Sequence, residues 1–198
     1  MTRQEFPKTI TLRDGSTASV RFTAPGDEAR LLAFYRELPE TDRRFLKDDV
    51  TTEAWAARFL RRIERGEVQS LLVEQHGKVV GEATLYRATH GWSAHVAELR
   101  IAVAPACRRR GLATILARLL VGLATDQGAD KVVVEVVESQ VAAIRVVEKL
   151  GFRREAVLRG HVKDISGTRR DLLILSTDVS HIWAAMEDLL ADSQDHLA

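Results

Sequence analysis

Residues 103–114 read VAPACRRRGLAT, and this stretch decides the fold class. An apolar strand pattern ends at Val103, because Pro105 has no N–H to donate to a neighbouring strand. A strongly helical pattern then runs from Gly111 to Ala124. The stretch is therefore predicted to be the turn between a strand and the helix that follows it.

The start of this helix is suited to bind an anion. Gly111 and Ala113 have absent or small side chains, so a ligand can approach the backbone closely. The first four or so N–H groups of a helix lack helical partners, and the helix dipole adds partial positive charge there. Further polar groups come from Arg108, Arg109, Arg110 and Thr114. Together these features predict a pyrophosphate site, although the same residues also fit an ordinary turn with a solvated arginine run.

Hydrophobic spacing outside this stretch predicts alternating strands and helices. Strands are indicated over residues 9–12, 18–22, 70–74, 78–86, 94–103, 131–137, from 152, and over 170–177. Helices are indicated from Asp27, which is placed to cap or charge its first turn, and over 51–66, 111–124, 140–150 and 182–190. The strand over 131–137 is nearly continuously apolar, which is typical of burial on both faces. This order predicts an α/β fold with a mixed sheet in residues 1–178, followed by an amphipathic helix or tail in residues 179–198.

Composition limits the classes of partner. The 198 residues include 29 basic and 28 acidic side chains, a net charge of +1, so we expect neither nucleic acid nor membrane as a partner. The six histidines show no pair at ligand spacing, and Cys107 is the only cysteine, so neither a metal site nor an intrachain disulfide is expected. The first residues lack the apolar core of a signal peptide, which favours a cytoplasmic protein.

Two stretches resemble the GNAT superfamily of acetyltransferases. Arg108, Gly111 and Ala113 occupy the positions of motif A, in which Arg or Gln, two residues, Gly, one residue, and Gly or Ala bind coenzyme A. Residues 140–152, QVAAIRVVEKLGF, are similar to motif B, and the predicted strand over 131–137 lies between the two motifs. The resemblance implies acetyl-CoA as cosubstrate, with no metal. It also implies a mostly antiparallel sheet that is splayed at the cofactor site and flanked by helices.

The resemblance also implies how acetyl-CoA is bound. The backbone of Ile101 and Val103 would pair with the pantetheine arm, as a substitute for a neighbouring strand. The pyrophosphate would be wrapped by Arg108, Arg109, Arg110, Gly111, Leu112, Ala113 and Thr114. Gln140 stands where the superfamily usually has an asparagine. A weaker similarity links the N-terminal run that contains Arg13 to bacterial protein-lysine acetyltransferases.

Acyl transfer to an amine requires a neutral nucleophile. A lysine-like amine has a pKa of about 10.4, so at pH 7 its deprotonation costs about 4.6 kcal/mol unless a base assists. Glu98 lies in an otherwise apolar strand that leads to the predicted cofactor site, where burial is expected to raise its pKa. Superfamily members with a glutamate base on this strand support the assignment. The alternative is a structural salt bridge with Arg100, two residues away on the same face.

One departure from the superfamily pattern keeps a second function open. Many members carry a tyrosine on the motif B helix that protonates the leaving thiolate, whereas this chain has Val147. The favoured prediction is an N-acetyltransferase whose acceptor is a protein lysine, an N-terminus or a small amine. The alternative is a non-catalytic acetyl-CoA-binding or sensing module. The predicted tail helix could pack on the domain or form a homodimer contact.

Overall fold

The computed structural model describes residues 5–88, 90–164 and 166–182. The strands are β1 (Lys8–Thr11), β2 (Thr17–Phe22), β3 (Val68–Gln75), β4 (Lys78–Arg87), β5 (Val96–Val103), β6 (Lys131–Val137), β7 (Arg153–Lys163) and β8 (Arg169–Asp178). The helices are α1 (Glu28–Glu37), α2 (Glu40–Arg43), α3 (Glu53–Glu64), α4 (Leu112–Asp126) and α5 (Val141–Lys149), with a 3₁₀ turn over Pro105–Cys107. The strands form one sheet in the order β1-β2-β3-β4-β5-β6-β8-β7.

The sheet is antiparallel except where β5 runs parallel to β6. These two strands pair only through Val96–Lys131, Ala97–Val132 and Glu98–Val133, and they diverge beyond these residues. The divergence leaves a V-shaped opening, here called the V, whose apex lies at the Glu98–Val133 pair. The predicted mixed, mostly antiparallel sheet with a splay at this place is confirmed.

Hydrophobic clusters cover both faces of the sheet. The larger cluster packs α4 and α5 against one face and includes Ala97 and Leu99 of β5. The smaller cluster packs α1 and α3 against the other face, with Ala102 at its margin. Because successive side chains of a strand point to opposite faces, Glu98 and Arg100 share the α1/α3 face with Ala102.

Helix α3 begins as its sequence indicates. The hydroxyl of Thr52 accepts a hydrogen bond from the N–H of Trp55 at 3.2 Å, which caps the first turn. The buried residues of α3 recur at helical spacing: Trp55, Ala56, Phe59, Leu60 and Ile63. None of the helices within the described ranges has the length and apolar character needed to span a membrane.

One prediction differs from the structure in detail, one short helix was not predicted, and one predicted helix lies largely outside the described residues. Asp27 takes the N-cap position of α1, but its carboxylate accepts hydrogen bonds from Arg21 and from the N–H of Ala24 instead of capping the helix. The sequence analysis missed the short helix α2, because its four residues have no buried side chain and therefore no hydrophobic period. The predicted helix over 182–190 lies outside the described residues except for Ile182, which is buried.

Candidate active site

The turn before α4 contains two residues with positive φ. Arg109 has a φ of 59° and Gly111 a φ of 83°. Gly111 occupies the N-cap position and has no side chain to bond the first turn of α4. The first N–H groups of the helix therefore stay available to a ligand, at the end where the dipole is positive.

Arg13 lies beside this turn. A Cβ atom at Gly111 would be 3.2 Å from Cγ and 3.3 Å from Nε of Arg13. The N–H of Arg13 donates to the carbonyl of Arg110 at 3.0 Å, which ties the β1–β2 hairpin to the turn. The hairpin thus adds a cation beside the predicted anion site. Sequence reasoning missed this role, because no local pattern relates residue 13 to residue 111.

The three consecutive arginines have different surroundings. Arg108 donates to the carbonyl of Val103 at 3.2 Å and forms an ion pair with Asp42. Arg110 turns back to the hairpin, where it pairs with Asp14 at 2.5 Å and donates to Ser16 Oγ at 2.6 Å. Arg109 is exposed. Arg108 is therefore the one of the three that the structure links to the open end of β5.

The edge of β5 that faces the V offers backbone groups that no neighbouring strand pairs beyond the apex. The N–H of Ala104 donates to the carbonyl of Val80 at 2.9 Å on the β4 side. The backbone hydrogen bonds of successive strand residues point to opposite neighbours. Ala104 bonds to β4, so Val103 and, two residues earlier, Ile101 direct their backbone groups away from β4. The bond from Arg108 Nε to the Val103 carbonyl agrees with this direction. An extended ligand can therefore pair with this edge as an additional strand would.

The remaining predicted cofactor residues lie on both sides of the V. Leu112 is buried in the core, so only its backbone can contact a ligand. Ala113 and Thr114 are half-buried in the first turn of α4. Gln140 precedes α5, and its side-chain oxygen accepts from the N–H of Val137 at 3.0 Å, which closes the end of β6. The site thus gathers residues from both predicted motifs around one opening.

Glu98 lies at the apex of the V. Its Oε1 accepts hydrogen bonds from Lys47 Nζ at 2.6 Å and from Arg100 Nε at 2.9 Å. Burial by itself raises the pKa of Glu98, but these two cations outweigh it, so the pKa is lowered. The expectation of a raised pKa was wrong, because the strand's apolar sequence gave no sign of Lys47. The ion pair with Arg100, which the sequence offered as the structural alternative for Glu98, is present.

A second carboxylate faces Glu98 across the V. Glu135 of β6 pairs through Oε2 with Lys47 Nζ at 2.7 Å. The side chain of Glu135 is 26% exposed, so β6 is not buried on both faces as its apolar sequence indicated. One charged residue inside an otherwise apolar strand was the available signal, the same signal that singled out Glu98.

A cavity of ≈ 750 Å³ opens above Glu98 on the α1/α3 face. Its lining includes Lys47, Arg62, Tyr86 and Arg100. Tyr86 lies opposite Glu98 in the sheet register, and the guanidinium of Arg100 stands 4.2 Å from the centre of its ring. Burial raises the pKa of Tyr86 to about 12, so its hydroxyl stays protonated at neutral pH.

Glu82 is a buried carboxyl group that the sequence analysis did not identify. Its oxygens accept hydrogen bonds from Tyr35 at 2.9 Å, from Ser70 at 2.6 Å, and from Thr84. Only 2% of Glu82 is exposed, and burial raises its pKa despite these donors. Its hydrogen bonds join α1 to β3 and β4.

The raised pKa of Glu82 should make the unfolding free energy depend on pH. Because the native state holds this proton more tightly than the unfolded chain does, native stability falls as pH rises above the ordinary value of 4.5. We expect Glu82→Gln to remove this dependence of the unfolding free energy on pH. The variant should therefore become more stable relative to the parent as pH rises. Urea denaturation at a series of pH values measures the difference.

Glu98→Gln is the matched control for this slope. The pKa of Glu98 is lowered, so its contribution to stability is lost as pH falls below 4.5. Glu98→Gln should therefore become more stable relative to the parent as pH falls, which is the opposite of the trend for Glu82→Gln. Slopes of the same sign in both variants would contradict the assignment of the two protonation states.

Val147, which stands where many superfamily members carry a tyrosine, lies on α5. Val147 is half-buried and packs against the larger core cluster. The two tyrosines of the chain, Tyr35 and Tyr86, both belong to the α1/α3 face. An acid on α5 is therefore not supplied by a tyrosine.

Solved structures share this fold. The GNAT domain of S. lividans PAT superposes with a TM-score of 0.71 at 22% identity, covering 86% of this chain and 96% of that chain. A ribosomal-protein-alanine N-acetyltransferase from Brucella melitensis gives 0.71 at 22%, covering 80% and 98%. A putative acetyltransferase from Salmonella typhimurium, with its cofactor acetyl-CoA, gives 0.69 at 22%, covering 82% and 94%. None of the curated proteins compared with the chain matches it.

The sequence itself carries the family assignment. The sequence model of the Acetyltransferase (GNAT) family matches residues 31–152, more than half of the chain. This range contains the V, the predicted anion site at the start of α4 and the following strand and helix. The chain therefore belongs to the GNAT family of acetyltransferases.

Proposed function

We propose that the protein transfers the acetyl group of acetyl-CoA to a primary amine by direct attack, with Glu98 as the base. One observation carries the proposal: Glu98 lies at the apex of the V, next to the unpaired edge of β5. A single extended ligand along that edge would have its reactive end close to this carboxylate. The acceptor would enter through the cavity above Glu98.

The residues around the V fit acetyl-CoA. The free N–H groups at the start of α4, together with Arg13, suit the charge of a pyrophosphate. The outward-facing backbone of Ile101 and Val103 suits the amides of the pantetheine arm. When bound, acetyl-CoA supplies an activated thioester.

Glu98 would take the proton of the incoming amine. Its lowered pKa keeps the carboxylate ionised at neutral pH, so it is in the state that a base requires. The ion pairs that lower its pKa also weaken it as a base. Displacement of Lys47 by the acceptor would remove one of these pairs and increase the proton affinity of Glu98.

Departure of the thiol needs no dedicated acid. Its pKa is expected near that of cysteine, about 8.5, so it can leave as a thiolate and be protonated by water. Val147 is consistent with this route. It is also the observation that favours the second candidate function, an acetyl-CoA-binding module without turnover.

A thiol-release assay with a panel of amines separates these two functions. The panel contains a lysine peptide, a peptide with an N-terminal alanine, and small primary amines, each added to enzyme and acetyl-CoA. Catalysis predicts thiol release that depends on one class of amine, with acetylated product confirmed by mass spectrometry. Binding of acetyl-CoA without release above the no-enzyme rate for any amine would favour the sensing module.

Arg108 and Arg110 are expected to differ in their effect on acetyl-CoA. Arg108 reaches the open end of β5, whereas Arg110 is held by Asp14 and Ser16. Losing one charged contact to the cofactor changes affinity by about tenfold. We expect Arg108→Ala to raise the KM for acetyl-CoA by about this factor and Arg110→Ala to raise it less. Steady-state kinetics of both variants make the comparison, and equal small effects would assign the site to backbone N–H groups alone.

A further inference from the structure

Lys47 lies in the loop between α2 and α3, and its ammonium group bridges the V. Nζ is 2.6 Å from Glu98 Oε1 on β5 and 2.7 Å from Glu135 Oε2 on β6. The side chain is 36% exposed, so the group meets solvent as well as both carboxylates. A primary alkyl amine of this chain thus already stands at the apex, where the proposed function requires the acceptor amine to arrive.

The position satisfies the geometric requirement for proton transfer. A general base must lie about 2.6–3.2 Å from the atom whose proton it removes. The distance from Lys47 Nζ to Glu98 is within this range. Glu135 follows two residues after Val133, the last β6 residue paired with β5, and so shares the face of Glu98. The two carboxylates hold the ammonium across the place where the strands separate.

We propose that Lys47 is itself an acceptor, so that the protein acetylates its own Lys47. This inference rests on the proposed function, because it uses the same cofactor site and the same base. It identifies a modification site in the loop that covers the acceptor cavity. Acetylation would remove the positive charge of Lys47 and with it both ion pairs, leaving Glu98 paired with Arg100.

The step balances without another reactant. Glu98 takes one proton from the ammonium, and the freed nitrogen lone pair forms a bond to the thioester carbonyl carbon. The carbon–sulfur bond then breaks and its electron pair leaves with sulfur. The nitrogen gives up a second proton to water, and sulfur is protonated from water. The products are an acetylated Lys47 and the free thiol of coenzyme A.

Two acetylating agents give a test that a merely structural ion pair would not pass. Acetic anhydride, used in trace amounts without acetyl-CoA, labels amines according to how freely each nitrogen meets the reagent. Lys47, held by two carboxylates, should be labelled more slowly than the exposed lysines Lys78 and Lys149. With acetyl-CoA as the only acetyl source, the order should invert, and Lys47 should be labelled first. Peptide mass spectrometry reads the acetyl group at each lysine in both reactions.

Two variants test whether the inverted labelling order depends on Glu98. Glu98→Gln should lower acetyl-CoA labelling of Lys47 by about 10²–10⁴ while increasing its labelling by the anhydride, because the base and one ion pair are both lost. Glu135→Gln loosens Lys47 in the same way but keeps the base, so the inversion should persist. The fraction of Lys47 labelled per unit time should not change with protein concentration, since the reaction is within one molecule.

Each outcome decides the proposal. Inverted order that requires Glu98 supports self-acetylation. The same order of lysines with both agents, or labelling of Lys47 unaffected by Glu98→Gln, overturns it. If thiol release from an added amine proceeds normally in that case, the proposed function stands and only the Lys47 inference fails. If acetyl-CoA gives no thermal shift and no thiol release, both fail together.

Discussion

Glu98→Gln is expected to lower kcat by about 10²–10⁴ at pH 7 while leaving cofactor binding intact. The substitution keeps the size of the side chain and removes the group that would accept the acceptor's proton. Its ion pairs with Lys47 and Arg100 are partly exposed, so their loss should change the unfolding free energy by no more than about 1 kcal/mol each. Steady-state kinetics with saturating acetyl-CoA, together with melting curves, measure both quantities.

The pH dependence sharpens this prediction. As pH rises toward the pKa of the acceptor, about 10.4 for a lysine-like amine, more acceptor is already neutral, and the deficit of Glu98→Gln should shrink. The parent rate should rise along one limb and level off, because the pKa of Glu98 is lowered and that of Tyr86 is raised to about 12. A bell-shaped profile below that value would reveal an acid not assigned here.

Glu135→Gln is the matched control. It removes a carboxylate from the same cluster and one ion pair with Lys47, but it leaves Glu98 in place. We expect a much smaller change in kcat than for Glu98→Gln. Equal losses would mean that the negative charge of the pair, not a base at Glu98, supports the reaction. Full kcat of Glu98→Gln at pH 7 would refute the assignment of Glu98.

Gly111→Glu is expected to abolish the stabilisation of the protein by acetyl-CoA. At a hundredfold excess over its Kd, the cofactor should stabilise the parent by about 2.7 kcal/mol, seen as a rise in Tm. A glutamate at this position would place a carboxylate at the anion site and crowd Arg13, whose Cγ is 3.2 Å from the Cβ position. Melting curves with increasing acetyl-CoA should rise for the parent and stay flat for the variant.

Gly128→Glu is the control for backbone strain. Gly128 follows the same helix, has a φ of 75°, and has open space around its Cβ position. Both variants therefore carry a side chain in the left-handed region, at a cost of about 1–2 kcal/mol. We expect Gly128→Glu to melt lower than the parent but to keep the full acetyl-CoA shift. A normal shift in Gly111→Glu would remove the argument for an anion site at the start of α4.

Much of the fold could be predicted from the sequence, because the hydrophobic period and the turn residues are local signals. Local neighbours within a few positions determine the strands over 9–12 and 18–22, the strand that stops before Pro105 and the helix after Gly111. The splay of β5 from β6 was inferred from family resemblance alone. Period and composition describe each strand separately and do not reveal where two strands part.

The charge interactions of the site were harder to predict from the sequence, because they depend on residues far apart in the chain. Lys47 lies 51 residues before Glu98 and belongs to a loop of mixed charge. Without it, the apolar flanks of Glu98 pointed to a raised pKa, whereas the folded protein lowers it. Arg13 was hidden in the same way, since only the folded hairpin brings it to Gly111.

Hydrogen exchange of individual backbone segments tests the central claim most directly. If acetyl-CoA binds in the V, its addition should slow exchange at Ile101 and Val103, whose N–H groups point away from β4 and lack strand partners on the β6 side, and over the first turn of α4. Exchange in the β1–β2 strands and in β7 should change little. Protection confined to the groove between α5 and β7, with Ile101, Val103 and residues 112–114 unchanged while acetyl-CoA is bound, would contradict the account.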